Sequence, residues 1–414
     1  MSLVLEGSTS ISGSTSLMSV DGQQNDDHDL HRPLGPSQPE TTFAQARQRR
    51  KIAELEGKLE ALESGRAIKE KQTNYYIAQG RGLRRIVTLF DSIEQLVAEN
   101  DRRYDDDSEE DATLDQDRLL SGYHTLLRTL PWFLKKASDI EPNDFARMLK
   151  MLRQGADGAR GDDTSKLKTL VADWVNRALN PNPSIDPDDK HCRGFINDAC
   201  GRLLCPAELD WNIPAQGFEI DPRATFVTDL SFPAFLYENY TANPDNLEEG
   251  IFKGKILLQA YKAVFTSPSS AKDVECDGDG ADVIANNRRA KKAFSDIKVK
   301  KHVAQIIKMD KVTARSIAYI ACQVRFALSS ITSWRSVDGD FDYIKFWQTI
   351  VDFFEKPPGR EAQRGVNRLL EWWTRKVFGR NRRNELSDAA KANMSVNALA
   401  RQRAQRDDIT FDSP

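Results

Sequence analysis

The sequence predicts a mainly α protein: a multi-helix globular domain preceded by a disordered tail and a short coiled coil. Three observations carry this reading. Apolar residues recur three and four apart through most of the chain, the period of a helix with one buried face. No alternating apolar–polar series and no strand–helix–strand spacing interrupts them, which argues against a sheet-based class. The first 42 residues hold no aromatic side chain, eight serines, and six acids against the single base Arg32. Such a segment buries too little apolar surface to offset its ordering entropy.

The resulting division is a disordered acidic Ser/Thr-rich tail over 1–42, amphipathic helices over 43–100 and an acidic linker over 101–117. A helical domain over 118–380 and a basic, mostly disordered tail over 381–414 complete it. In the second segment Ile52, Leu55, Leu59 and Leu62 step by 3, 4 and 3, as a and d positions of a heptad do. Lys51 and Lys58 then fall at g, and Glu56 and Glu63 at e, a pattern that favours a parallel pair. The next seam positions are Arg66 and Lys69, so the apolar seam is two heptads long and the homodimer expected from it is weak. Leu83, Ile86, Val87, Phe90, Ile93 and Val97 mark one face of a further helix. Residues 101–117 carry nine acids against Arg102 and Arg103, the composition of a solvated linker.

In the body, Leu119, Tyr123, Leu126, Leu127 and Leu130 form a stripe ended by Pro131. A helix from Pro142 to Gln154 is expected to break at Gly155, Gly158 and Gly161, and another to start at Thr164 or Ser165. Residues 180–189 read as a Pro/Asn/Asp loop, 193–204 as a helix, 206–247 as irregular with at most one short strand near Ala224–Val227, and 247–265 as a helix. Basic helices are expected over 283–309. The run from Val312 to Trp334 is apolar nearly all round, as a helix at the centre of a bundle would be. Helices over 341–354 and 361–378 follow, separated by Pro357-Pro358-Gly359.

Three segments resemble a recurring signature: Phe265-Thr-Ser-Pro-Ser-Ser-Ala271, the stretch from Ala318 to Ser330 with Trp334–Phe341, and Leu370-Glu-Trp-Trp-Thr-Arg-Lys-Val-Phe-Gly379. They resemble a family of mushroom-forming fungi known only as a domain of unknown function. The resemblance covers roughly Leu119–Gly379. It implies a shared fold and a nuclear or cytosolic fungal protein, and it implies no activity and no site.

Composition narrows the function classes. The chain has 59 Lys plus Arg and 62 Asp plus Glu, a net charge of -3. The longest uncharged run in its most apolar stretch, Ser316–Val324, is far short of the roughly 20 residues a membrane helix needs. The start lacks a basic n-region and carries Glu6, so secretion is not expected, and five cysteines suit free thiols in a reducing compartment. The expected location is nuclear or cytoplasmic, with no membrane partner.

No motif forces a reaction. Gly250-Ile-Phe-Lys-Gly254-Lys255-Ile256 has three residues between its glycines and an Ile after the Lys, where a phosphate loop needs four and a hydroxyl. Asp277, Asp279 and Asp282 lack the Gly and Glu positions of a calcium loop. His191, Cys192, Cys200 and Cys205 lack the paired short spacing of structural zinc. His124 and His302 have no catalytic companion at a telling spacing. Neither metal nor cofactor is expected, and no small-molecule ligand is named.

Charge asymmetry is the remaining signal. Residues 281–316 hold ten bases against three acids, including the import-like pair Arg288–Lys292 and Lys298–Lys301. Residues 360–406 hold twelve against four. On the helix 361–378, Val366, Leu369, Leu370, Trp373 and Val377 share one side, while Arg360, Arg364, Arg368 and Arg375 share the other. Arg380, Arg382 and Arg383 extend the charge. An arginine row suits phosphate oxygens, with weak, sequence-insensitive nucleic-acid binding as the consequence. The expectation is thus a non-enzymatic protein- or nucleic-acid-interaction module. The alternative is an enzyme with a dispersed carboxylate site, such as a degenerate mobile-element or nuclease-like protein.

Overall fold

The computed structural model describes residues 39–105, 112–209, 211, 227–272, 274, 302–379 and 387–411. Its contacts divide the chain into Met1–Arg66 and Ala67–Pro414. Helix α1 spans Pro39–Gly80 and opens with proline, whose missing N–H costs nothing there. The expected tail over 1–42 therefore ends in helix from Pro39, and its residues 1–38 lie outside the described residues. In the first unit the seam residues of α1 are exposed, and Lys51 and Lys58 both reach Glu54, at 3.4 and 2.5 Å.

The second unit is mainly α. The single stripe expected from Leu83 to Val97 is two helices, α2 (Leu83–Ile86) and α3 (Ile93–Asp105). Local side chains make the break. The Thr88 hydroxyl donates to Asp91 at 2.7 Å, and the Ser92 N–H donates to Gln95 at 2.8 Å while the Gln95 N–H returns to Ser92 at 3.1 Å. Both flanks of the expected acidic linker are helical. α3 runs to Asp105, and α4 (Leu114–Thr129) starts at Thr113 with a reciprocal Thr113–Gln116 cap. Residues 106–111 lie outside the described residues.

Helix α5 (Phe133–Asp139) leads to α6, which runs unbroken from Pro142 to Leu179 through all three glycines. Gly155 is buried and allows a close crossing with α1: a Cβ there would overlap the Ile77 carbonyl, and a Cβ on Gly80 would overlap the Leu152 carbonyl. Tertiary contact thus accounts for a glycine that sequence alone assigns to a helix end. A 3-10 turn (Gly194–Ile196) and α7 (Asp198–Leu204) replace the longer helix expected from 193. Residues 247–252 are turns, and the helix expected from 247 begins only at α8, Lys255–Phe265. Residues 224–226 of the expected strand and most of the basic helices expected over 283–309 lie outside the described residues, and Val227 is not in a strand. The short α9 covers Val303–Ile306.

Helix α10 (Ala314–Leu328) is the centre. Every one of its residues is buried, and Thr313 caps its start by accepting from the Ser316 N–H at 3.3 Å. α2, α6, α7, α8 and α11 (Tyr343–Glu355) surround it. A two-residue hairpin, β1 (Val337–Asp338) with β2 (Phe341–Asp342), precedes α11 and pairs Val337 with Asp342 and Asp338 with Phe341. α12 (Gly359–Phe378) closes the body. Beyond it, where a mostly disordered tail is expected, α13 (Asp388–Asn393) and α14 (Ser395–Phe411) are helical.

Candidate functional site

The stripe expected on α12 is buried at Val366, Leu369, Trp373 and Val377, while Leu370 is half-buried. The Trp373 indole donates to the Phe252 carbonyl at 3.0 Å, which fixes the rotation of the helix. Arg360, Arg364 and Arg368 are exposed on the other side, and Arg375 is half-buried. Glu361 sits among them, 3.3 Å from Arg364 and 3.6 Å from Arg368, and so neutralises part of the row. Arg380, Arg382 and Arg383 lie outside the described residues.

Beside this helix is a cleft of about 660 Å³. Its helix wall carries Arg368, Glu371, Trp372 and Arg375, and its loop wall carries Glu248, Glu249 and Lys253. The Lys253 ammonium stands 5.7 Å from the centre of the Trp372 ring. The loop wall runs into the Gly250–Gly254 segment, whose phosphate-loop likeness has a conformational explanation. Gly250 has φ +73°, and a Cβ on Gly254 would overlap the Phe235 carbonyl. Phe252 is held at φ +57°, a costly conformation for a bulky residue. Its ring packs against both Phe353 and Phe354, each at 5.1 Å. Sequence reasoning missed the cleft. Its one signal was the pair of glycines.

Other charged groups are buried on and around the central helix. Arg85 grips Asp163 through two bonds of 2.7 and 2.9 Å, and the Tyr319 hydroxyl donates to the same carboxylate at 2.8 Å. Burial and the Asp163 charge push the Tyr319 hydroxyl far above its ordinary range. Arg315 bonds Glu355 at 2.8 and 2.9 Å, and Arg325 reaches the Tyr343 hydroxyl at 2.7 Å and Asp338 at 3.2 Å. Each buried cation is thus committed to an internal acceptor, as burial of a charge requires.

Cys192 is exposed, whereas Cys200, Cys205 and Cys322 are buried. Burial raises the Cys200 thiol to about 11 and pushes the Cys322 thiol up as well, so both stay protonated near neutrality. Among the described residues no group of three or more His, Cys, Asp and Glu is placed to hold a metal ion, and His191, Cys192, Cys200 and Cys205 join none. Asp277, Asp279 and Asp282 lie outside the described residues. Among the described residues no helix is long and apolar enough to cross a membrane.

Fold and surface together define an all-helical domain built around one wholly buried helix, α10, whose polar side chains are tied into the core. Residues 154–378, more than half of the chain, match a family of unknown function, DUF6698, and the chain belongs to that family. No curated protein and no solved structure matches the chain.

Proposed function

We propose that this chain is a non-enzymatic helical interaction module that pairs weakly with a second copy of itself through α1. One observation supports the reading most: Ile52, Leu55, Leu59 and Leu62 are 54, 53, 58 and 72 % exposed on a continuous helix. Fully burying an aliphatic side chain contributes roughly 1.5–3 kcal/mol. Association itself costs at least about 4 kcal/mol, so a seam of two heptads sustains only a weak pair. In parallel register Lys51 and Lys58 face the acidic e positions of the partner helix, with Glu56 and Glu63 answering in return. Oxidative cross-linking tests the register in a background where Cys192 and Cys276 are Ser. Leu55→Cys should cross-link, because d meets d, and Glu60→Cys at an outward position should not. Equal cross-linking at both positions would contradict the seam.

A second reading, weak and sequence-insensitive nucleic-acid binding, is supported by the exposure of Arg360, Arg364 and Arg368 along α12. In sequence Arg380, Arg382 and Arg383 follow them. Titration of a labelled duplex at low salt should show binding that falls steeply with added salt and weakens when Arg364, Arg368 and Arg375 become Gln. Equal binding by native and variant protein would remove this reading. The basic stretch over 288–301 supports a nuclear location. Imaging of the full chain should show nuclear accumulation that is lost when these bases become Gln.

A further inference from the structure

A second cleft, of about 570 Å³, lies where the end of α1, the last turn of α4 and the segment from Ile306 to Lys311 meet. The size is that of small-ligand sites, which run about 300–1,000 Å³. Ile86, Leu130, Trp132, Ile307 and Met309 line it, and Tyr75 and Ile306 also line it while remaining 46 and 40 % exposed. Its threonine hydroxyls are already engaged, and the Trp132 indole N–H is a buried donor without an acceptor among the described residues. Thr125 donates to the Ser121 carbonyl at 2.9 Å, Thr129 to the Thr125 carbonyl at 2.8 Å, and Thr313 to the Ser316 hydroxyl at 3.1 Å. The unpartnered indole N–H suits a ligand that brings a hydrogen-bond acceptor.

Charge distinguishes the ligand further. Arg128, Lys308 and Lys311 line the cleft and are exposed, and no ion pair joins any of them to an acid among the described residues. Of the two acids in the lining, Glu355 is occupied by Arg315 through both oxygens, at 2.8 and 2.9 Å, which leaves Asp310 against three cations. Lys308 is also held at φ +56°. A lysine adopts that left-handed conformation only at a cost, which the Met309 N–H offsets by bonding the Ala304 carbonyl at 2.8 Å. The aromatic residues offer no slot for a planar ring: Tyr75 and Trp132 touch each other, with centroids 5.7 Å apart and planes 51° apart. The other apolar walls are aliphatic.

We infer that this cleft binds an acyl-chain carboxylate, its chain against Ile86, Leu130, Ile307 and Met309 and its headgroup against Arg128, Lys308 and Lys311. The inference is independent of the pairing through α1. Sodium dodecanoate, below its micellar concentration, is the probe for calorimetric titration of the full chain. One dodecanoate per chain should bind. Replacing Arg128, Lys308 and Lys311 together by Gln should weaken binding by about tenfold or more, since about 1.4 kcal/mol is tenfold. Ile306→Glu, which sets a carboxylate beside the chain, should weaken it similarly. All four positions are exposed, so both variants should keep the native melting curve. Dodecanol should bind more weakly than dodecanoate. The inference is overturned by an absence of binding, by uptake of several molecules insensitive to both variants, or by dodecanol binding as tightly.

Discussion

Lys190 and Arg193 enter the protein interior and bond backbone carbonyls at the end of the central helix. The Lys190 ammonium donates to the Phe326 carbonyl at 2.6 Å and also to that of Ile331, and Arg193 donates to the Ala327 carbonyl at 2.9 Å. Cations suit a helix C-terminus, where unpaired carbonyls gather. Burial, with Arg193 next to it, nevertheless brings the Lys190 ammonium down to about 7. In an unfolded chain the same group titrates near about 10.4. Between those values the unfolded chain holds a proton that the folded chain has released, so this residue makes stability rise with pH from about 7 upward. Denaturant unfolding of the native protein and of Lys190→Met between about pH 7 and pH 10 should show the native protein gaining on the variant. Parallel curves would mean that Lys190 titrates normally in the fold. Asp163 gives a second test. It accepts from Arg85 and Tyr319 inside the core, and removing one member of a buried ion pair typically costs about 3–5 kcal/mol. Asp163→Ala should therefore unfold at much lower denaturant, whereas Arg85→Met with Asp163→Leu should recover part of the loss.

Among the elements, α6 separates two kinds of glycine. A Cβ at Gly155 meets the Ile77 carbonyl, and one at Gly158 meets open space. Gly155→Ala should destabilise by about 1–3 kcal/mol, as overpacking does. Gly158→Ala should stabilise by about 1 kcal/mol through helix propensity alone. Thermal melts of the two variants should move in opposite directions, and movement in the same direction would contradict the crossing. The same contrast explains what the sequence made legible. The stripe on α12 and the all-round apolar run of α10 could be read because their burial follows from helical period. The continuity of α6 could not, because the partner that makes Gly155 useful is Ile77, far off in the chain. The non-helical stretch over 247–254 was hidden for a similar reason: Gly254 needs its missing Cβ for the Phe235 carbonyl, and Phe252 takes a left-handed conformation no propensity would assign.

At the scale of the whole molecule, the surfaces that sequence revealed are those lying on one helix, the α1 seam and the α12 arginine row. Both clefts escaped it, because each is assembled from segments far apart in the chain. The α1 seam also remains the large aliphatic surface for which the described chain offers a rule of pairing, with a and d residues outward and opposite charges flanking them. Sedimentation equilibrium of the full chain over micromolar concentrations, set against a variant carrying Leu55→Asp and Leu59→Asp, tests that pairing most directly. The native protein should pass from monomer to dimer as concentration rises, and the variant, with two carboxylates in the seam, should stay monomeric. A native protein that remains monomeric throughout, or a variant that dimerises as readily, would contradict pairing through α1.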